Sequence, residues 1–175
     1  MTVQAPRNIF LVGFMGTGKT SVGRALAARF NWEFVDLDER IEKRQQRRIS
    51  DIFAVEGEVF FRQLEKEALK QVSFGDEQVV SCGGGIVIDN ENIVLMKQRG
   101  ILICLSASPE VIYERTRGSS NRPLLNVPDP VARIGELLAQ RSRYYALAHE
   151  TLDTSLMSVE EAAEYIEKLY EKRIN

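Results

Sequence analysis

A chain of 175 residues can carry one well-cored domain and is too short for two ordinary ones. Its formal net charge of −2 argues against a protein whose main task is gripping nucleic acid, because counterion-driven binding needs a net basic face. The N-terminal stretch holds only a short apolar run, IFLVGF, with no cleavable signal pattern, and no segment reaches the length that spans a bilayer. The expectation is a single domain over residues 1–175, a cytoplasmic monomer without nucleic-acid or membrane partners. Cys82 and Cys104 sit inside the apolar stretches VVSCGG and ILICLS, as small core residues of a reducing compartment rather than halves of a disulfide.

Five short runs rich in β-branched and aliphatic residues, at 9–12, 33–35, 78–82, 101–105 and, weakest, 151–153, read as buried strands. Between them KTSVGRALAARF, GEVFFRQLEKEALKQV, ENIVLMKQRG, SPEVIYERT and VEEAAEYIEKLYEKR carry apolar residues at helical spacing. Ser108-Pro109-Glu110 starts a capped helix and Gly100 stops one. Strand and helix alternate throughout. That predicts an α/β fold of parallel strands joined by right-handed crossovers, with helices on both faces and ligands at the carboxyl ends of the strands. Residues 116–131, TRGSSNRPLLNVPDPV, lack periodicity yet carry large aliphatics and arginines, which suits a functional flap better than a tether.

The first strand runs into GFMGTGKT, residues 13–20, and a helix follows, which is the setting a P-loop requires. Gly13, Gly16 and Gly18 let backbone N–H groups turn inward around phosphate oxygens, with Thr17 and Ser21 alongside in the nucleotide-binding loop. Lys19 neutralises the β and γ phosphates, and Thr20 offers its hydroxyl to Mg²⁺. The cradle implies ATP and Mg²⁺ but leaves the acceptor open. No Asn-Lys-x-Asp or Leu-Ser-Gly-Gly signature is present, which weakens the switch-GTPase and transporter readings.

The end of the third strand commonly supplies a metal-organising acid, and here it offers Ser81 and three glycines instead. Asp36, closing the second strand, is the nearest substitute by topology. In an extended chain Asp36 and Asp38 face the same way, so both look into one crevice if the strand reaches that far. The bland alternative is a solvated helix start with acids at its positive end. Gly83, Gly84 and Gly85 permit close backbone approach to a ligand or form a flexible loop. Arg62 sits three residues before Glu65 on a helix, where the acid can hold the guanidinium. Phe53, Phe60 and Phe61 serve either as core or as pocket wall.

Taken in order, LVGFMGTGKTSVGRALA, DLDERIE, ISDIFAVEGEVFFRQLE, SCGGGIV, NRPLL and QRSRYY resemble shikimate kinase, a P-loop family that phosphorylates the 3-hydroxyl of shikimate in aromatic amino-acid synthesis. The resemblance implies a three-layer αβα kinase fold with a five-stranded parallel sheet of order 2-3-1-4-5, a substrate-binding helical region near residues 37–66 and a mobile lid near 116–128. It implies that Asp36 supports Mg²⁺ behind Thr20, and that Asp38 binds the shikimate hydroxyls beside the transferred phosphoryl, as a candidate base. Arg62 and Arg141 match the arginines that clasp the substrate carboxylate. Phe53, Phe61 and Gly83 to Gly85 match the pocket wall, Ser81 a residue near the metal, Arg115 a position packed on adenine, and Arg122 the lid arginine over the phosphates. Lys19, Asp38 and Arg122 are thus the implied catalytic set.

The sequence departs from the family's Arg-x-Pro-Leu-Tyr at Arg141-Ser142-Arg143-Tyr144-Tyr145, which leaves Arg143 as a rival to Arg141. Adenine contacts near residues 153–155 do not carry over. A kinase for gluconate or a nucleoside monophosphate is the nearest competing reading, and an ATP-binding module without turnover is a more distant one. Paired arginines with Asp38 favour a hydroxylated carboxylic acid over a nucleotide. His149 and Trp32 read as structural.

Overall fold

The alternation of side chains along each strand decides which layer it feeds. In the computed structural model, which describes residues 7–118 and 126–174, β1 (Asn8–Val12) sends Phe10 and Val12 to one face and Ile9 and Leu11 to the other. β4 (Ile101–Ser106) repeats the division, with Leu102 and Cys104 opposite Ile101, Ile103 and Leu105. With β2 (Glu33–Asp36), β3 (Gln78–Ser81) and β5 (Glu150–Asp153) they form a parallel five-stranded sheet of order β2-β3-β1-β4-β5. Each central strand therefore buries apolar residues twice, which is why its sequence is continuously hydrophobic.

Helices α1 (Lys19–Phe30) and α7 (Val159–Ile174) cover one face, where Trp32 stacks on Phe30 at 4.6 Å and meets Tyr170 edge-on. The other face carries α2 (Leu37–Gln45), α3 (Ile49–Val72) and α4 (Asn90–Arg99), while α5 (Pro109–Thr116) and α6 (Pro130–Tyr145) enclose a small cluster around Phe14, Ile112 and Ile134. No helix among the described residues is long and apolar enough to cross a membrane. Both cysteines are buried and unpaired.

Three local readings of the sequence need correction. The second strand ends at Asp36, so Asp38 does not share its face along an extended chain; it lies in the first turn of α2. The helix expected from residue 57 begins at Ile49 and breaks at Gly57, whose φ of 81° and ψ of 179° fit only glycine. The sequence reading placed no helix between residues 131 and 145, where α6 starts from an Asp129 cap and a first-turn proline.

Candidate active site

Every strand of a parallel sheet ends on the same side, and the residues that close β1, β2 and β3 lie there together. After Val12 the chain turns sharply: Gly13, Gly16 and Gly18 all have positive φ, and a Cβ on Gly13 would lie 2.1 Å from the Leu105 carbonyl oxygen. The loop delivers Lys19 and Thr20 at the start of α1, where Lys19 Nζ donates to the carbonyls of Gly13 and Phe14 at 2.9 and 3.0 Å. Thr17 is buried and donates to the Phe14 carbonyl, bracing the loop from inside, while Thr20 and Ser21 face solvent at its mouth.

Asp36 makes contacts with both of its carboxylate oxygens. Its Oδ1 caps α2 by accepting from the N–H groups of Asp38 and Glu39 at 3.0 and 3.3 Å, and its Oδ2 accepts from the Thr20 hydroxyl at 3.1 Å. A hydroxyl that gives its proton to a carboxylate turns its lone pairs the other way, as a ligand to a hard cation must. The described residues contain no group of three or more His, Cys, Asp or Glu that could hold a metal by themselves. One hydroxyl with a carboxylate behind it suits Mg²⁺, which keeps waters and takes phosphate oxygens for most of its shell. Ser81 ends β3 in register with Asp36 and is buried.

Asp38 stands next to this pair. Burial first, and then the carboxylate of Asp36, push its pKa up to about 6 against the pull of Lys19. At neutral pH it is an ionised acceptor with raised basicity. Its Oδ1 and the Oε1 of Glu65 are buried without a hydrogen-bond partner among the described residues, and both converge on Gly83: a Cβ there would lie 2.6 Å from Glu65 Oε1 and 3.2 Å from Asp38 Oδ1. Glu65 is 1% exposed, and burial raises its pKa against the lowering effect of Arg62.

Arg62 is fixed from one side. Its Nη1 donates to Glu65 Oε2 at 2.6 Å, and its Nε and Nη2 donate to Glu58 Oε1 at 3.2 and 3.0 Å. Burial works against its charge, but Glu65 and Glu58 outweigh that and hold the guanidinium more firmly protonated than usual. Its other boundary is Gly85, where a Cβ would lie 2.3 Å from Nη2. Phe61 is buried with its ring 5.4 Å below Arg62, and Phe53, 37% exposed, packs on Phe61 at 4.8 Å.

The two rival arginines of α6 part company. Arg141 lies over the Phe14 ring at 5.6 Å, with Nη1 3.4 Å from a Cβ placed on Gly84, whereas Arg143 is exposed and donates to the Tyr144 hydroxyl at 2.7 Å. Arg115 is tied down: Nη1 donates to the Gly16 carbonyl and to Thr154 Oγ1, and Nη2 donates to the Thr154 carbonyl at 2.7 Å. An open groove beside it is lined by Glu110, Val111, Glu114 and Ser155. Arg122 and most of the expected lid lie outside the described residues.

The site also contains residues to which the sequence assigns no binding role. Phe14 and Glu58 brace the two arginines, Thr154 braces Arg115, and the Tyr145 hydroxyl donates to the Gly84 carbonyl at 2.8 Å. Of these only Tyr145 left a signal, four residues after Arg141 and therefore on the same face of a helix.

The sequence model of the shikimate kinase family matches residues 15–171. A shikimate kinase from Thermodesulfovibrio yellowstonii is 46% identical over 169 residues, covering 97% of this chain and 98% of that protein. One from Caldanaerobacter subterraneus is 42% identical over 166 residues, covering 95% and 97%. The structure of shikimate kinase from Acinetobacter baumannii in complex with shikimate superposes with a TM-score of 0.90 at 37% identity, covering 97% of this chain and 96% of that one. The match runs almost end to end on both sides, and the chain belongs to the shikimate kinase family.

Proposed function

We propose that the chain transfers the γ-phosphoryl group of ATP to the 3-hydroxyl of shikimate, giving shikimate 3-phosphate and ADP on the route to chorismate and the aromatic amino acids. One observation carries the reading: the strand ends bring together the loop with Lys19 and, with Asp38 under the charge of Lys19 and Arg62, two arginines that stand within 3.4 Å of where a Cβ on Gly84 or Gly85 would lie. A small anionic ring with hydroxyls fits between them.

Phosphoryl transfer asks the protein to position a hydroxyl and stabilise spreading charge while keeping water out. Lys19 meets the phosphate charge at the loop. Asp38 accepts from the acceptor hydroxyl and is basic enough to take its proton as the bond to phosphorus forms. Arg62 and Arg141 grip the carboxylate through charge-assisted hydrogen bonds. Mg²⁺ would be held by Thr20 with Asp36 behind it, and when bound neutralises phosphate charge. Water exclusion falls to the lid expected at residues 116–128 and charge stabilisation to its Arg122, while Phe53, Phe61 and Arg115 serve the pocket and the adenine side. The unit works as a single-domain cytoplasmic monomer.

A coupled assay for ADP release, run with ATP and shikimate beside ATP with gluconate or AMP, tests the reading. ADP formation with shikimate alone is expected; its absence overturns the proposal.

A further inference from the structure

Tyr145 is the last residue of α6, is buried, and brings its hydroxyl to the meeting point of three parts of the site. That hydroxyl donates to the Gly84 carbonyl at 2.8 Å. A Cβ on Gly84 would lie 3.6 Å from the same hydroxyl, 3.4 Å from Arg141 Nη1 and 3.2 Å from the Gly13 carbonyl oxygen of the phosphate loop. A phenol has one proton, and here it is committed to Gly84. A guanidinium has donors only, so with the phenol proton turned to Gly84 the lone pairs of the Tyr145 oxygen are what it offers to the Arg141 charge, whose Nη1 flanks the same Gly84 position.

Two donors are aimed by this arrangement. The electronegative Tyr145 oxygen beside Nη1 attracts that edge of the planar fork, and the remaining N–H groups follow because the guanidinium is rigid. The peptide between Gly84 and Gly85 is planar and trans, so holding its carbonyl toward Tyr145 turns its N–H to the opposite side. Phe14 beneath Arg141 limits rotation of the fork out of this position. Burial pushes the Tyr145 pKa up, which keeps the proton that Gly84 accepts in place at working pH.

We propose that Tyr145 is a positioning residue for the substrate carboxylate: its hydroxyl holds Arg141 and the Gly84 peptide together, so that the guanidinium and the N–H of Gly85 arrive preorganised. It touches no reacting atom. The inference rests on the reading of the crevice as a shikimate site.

The test is Tyr145→Phe in the full chain, with shikimate and its methyl ester as substrates. The KM for shikimate is expected to rise about tenfold, the size of one hydrogen bond to a charged group, while kcat and the KM for ATP stay within about twofold. With the ester, which lacks the carboxylate charge, the substitution is expected to change KM little. An unmoved shikimate KM, equal effects on acid and ester, or a chain that unfolds or loses all kinetic parameters together would each overturn the assignment, the last because the tyrosine would then be structural. The unsubstituted chain separates the two claims: no turnover of shikimate removes the proposed function and this inference with it, whereas turnover with an indifferent Tyr145 removes this inference alone.

Discussion

Replacing Gly85 by alanine separates the aim of Arg62 from the shape of the backbone. Gly85 has φ −97° and ψ −2°, a conformation open to any L-residue, so alanine brings no torsional strain. By restricting the unfolded chain it should even stabilise the fold by about 0.4–1 kcal/mol. Its Cβ, however, would lie 2.3, 2.5 and 2.6 Å from Nη2, Nη1 and Cζ of Arg62. An ordinary contact needs about 3.5 Å, so the guanidinium must withdraw by about 1 Å, and as the end of a long side chain it can. Withdrawal forfeits at least one charge-assisted hydrogen bond to the carboxylate, about 1.5–3 kcal/mol, or roughly 10- to 150-fold in affinity. Steady-state kinetics with shikimate varied at saturating ATP should show that rise in KM, with the KM for ATP unchanged. Thermal denaturation should show a melting temperature equal to or slightly above that of the unsubstituted chain. A normal KM would refute the steric argument, and a large fall in melting temperature would show that the glycine serves the backbone instead.

Asp36→Asn keeps a good helix cap but removes the charge behind Thr20, so it should preserve stability while raising the Mg²⁺ concentration needed for activity; Asp36→Ala should raise that requirement and also cost about 1 kcal/mol, read by magnesium titration beside denaturant unfolding. Equal stability of the two variants would contradict the capping role. Gly57→Ala forces a Cβ into a backbone conformation that only glycine adopts readily, although nothing lies within 4 Å to clash with it. The expected cost of about 1–3 kcal/mol corresponds to a drop of roughly 2–12 °C in melting temperature, and a neutral variant would mean that the kink relaxes freely. His149 Nδ1 accepts from the Leu102 N–H at 2.9 Å, and burial, helped by Lys97 and Arg173, lowers its pKa from the ordinary 6.5. The unfolded chain therefore takes up the proton first, and the contribution of His149, present above about pH 6.5, is lost as pH falls toward the lower folded value. His149→Asn retains an acceptor without titrating; its melting temperature should fall less steeply between pH 7 and 5, and parallel curves would rule the histidine out.

The layer order and the phosphate loop were legible because their causes are local. Strand limits came within one residue for β1, β3 and β4 because a buried parallel strand is a continuous apolar run with polar ends. The turn from the first strand into α1 could be read because its glycines are the residues that tolerate the positive φ it needs. Helix α6 was missed because Pro128, Asp129 and Pro130 look like an extension of the flap, and Arg141 to Arg143 interrupt its apolar stripe. The sequence alone leaves Asp36 and Asp38 as a choice between a helix start and a site. A carboxylate has two oxygens, and Asp36 caps the helix with one while the other accepts from Thr20. What stayed invisible are bonds between distant parts of the chain, such as Arg115 to Thr154 across 39 positions and Tyr145 to Gly84 across 61, for which no pattern in either segment is diagnostic.

The Arg115 tether also bears on the order of synthesis. Thr154, just beyond β5, lies 2.9 Å through its hydroxyl from the Thr17 carbonyl and 3.1 Å from that of Ser106, while accepting from Arg115, which in turn reaches Gly16. The nucleotide loop is made early in the chain, and its brace is made near the end. A chain emerging from its N-terminus thus makes residues 13–20 long before the contacts that brace them can form. Until the last strand has joined the sheet, the carbonyl of Thr17 lacks its contact from Thr154, and Arg115 lacks the tether that holds it against Gly16.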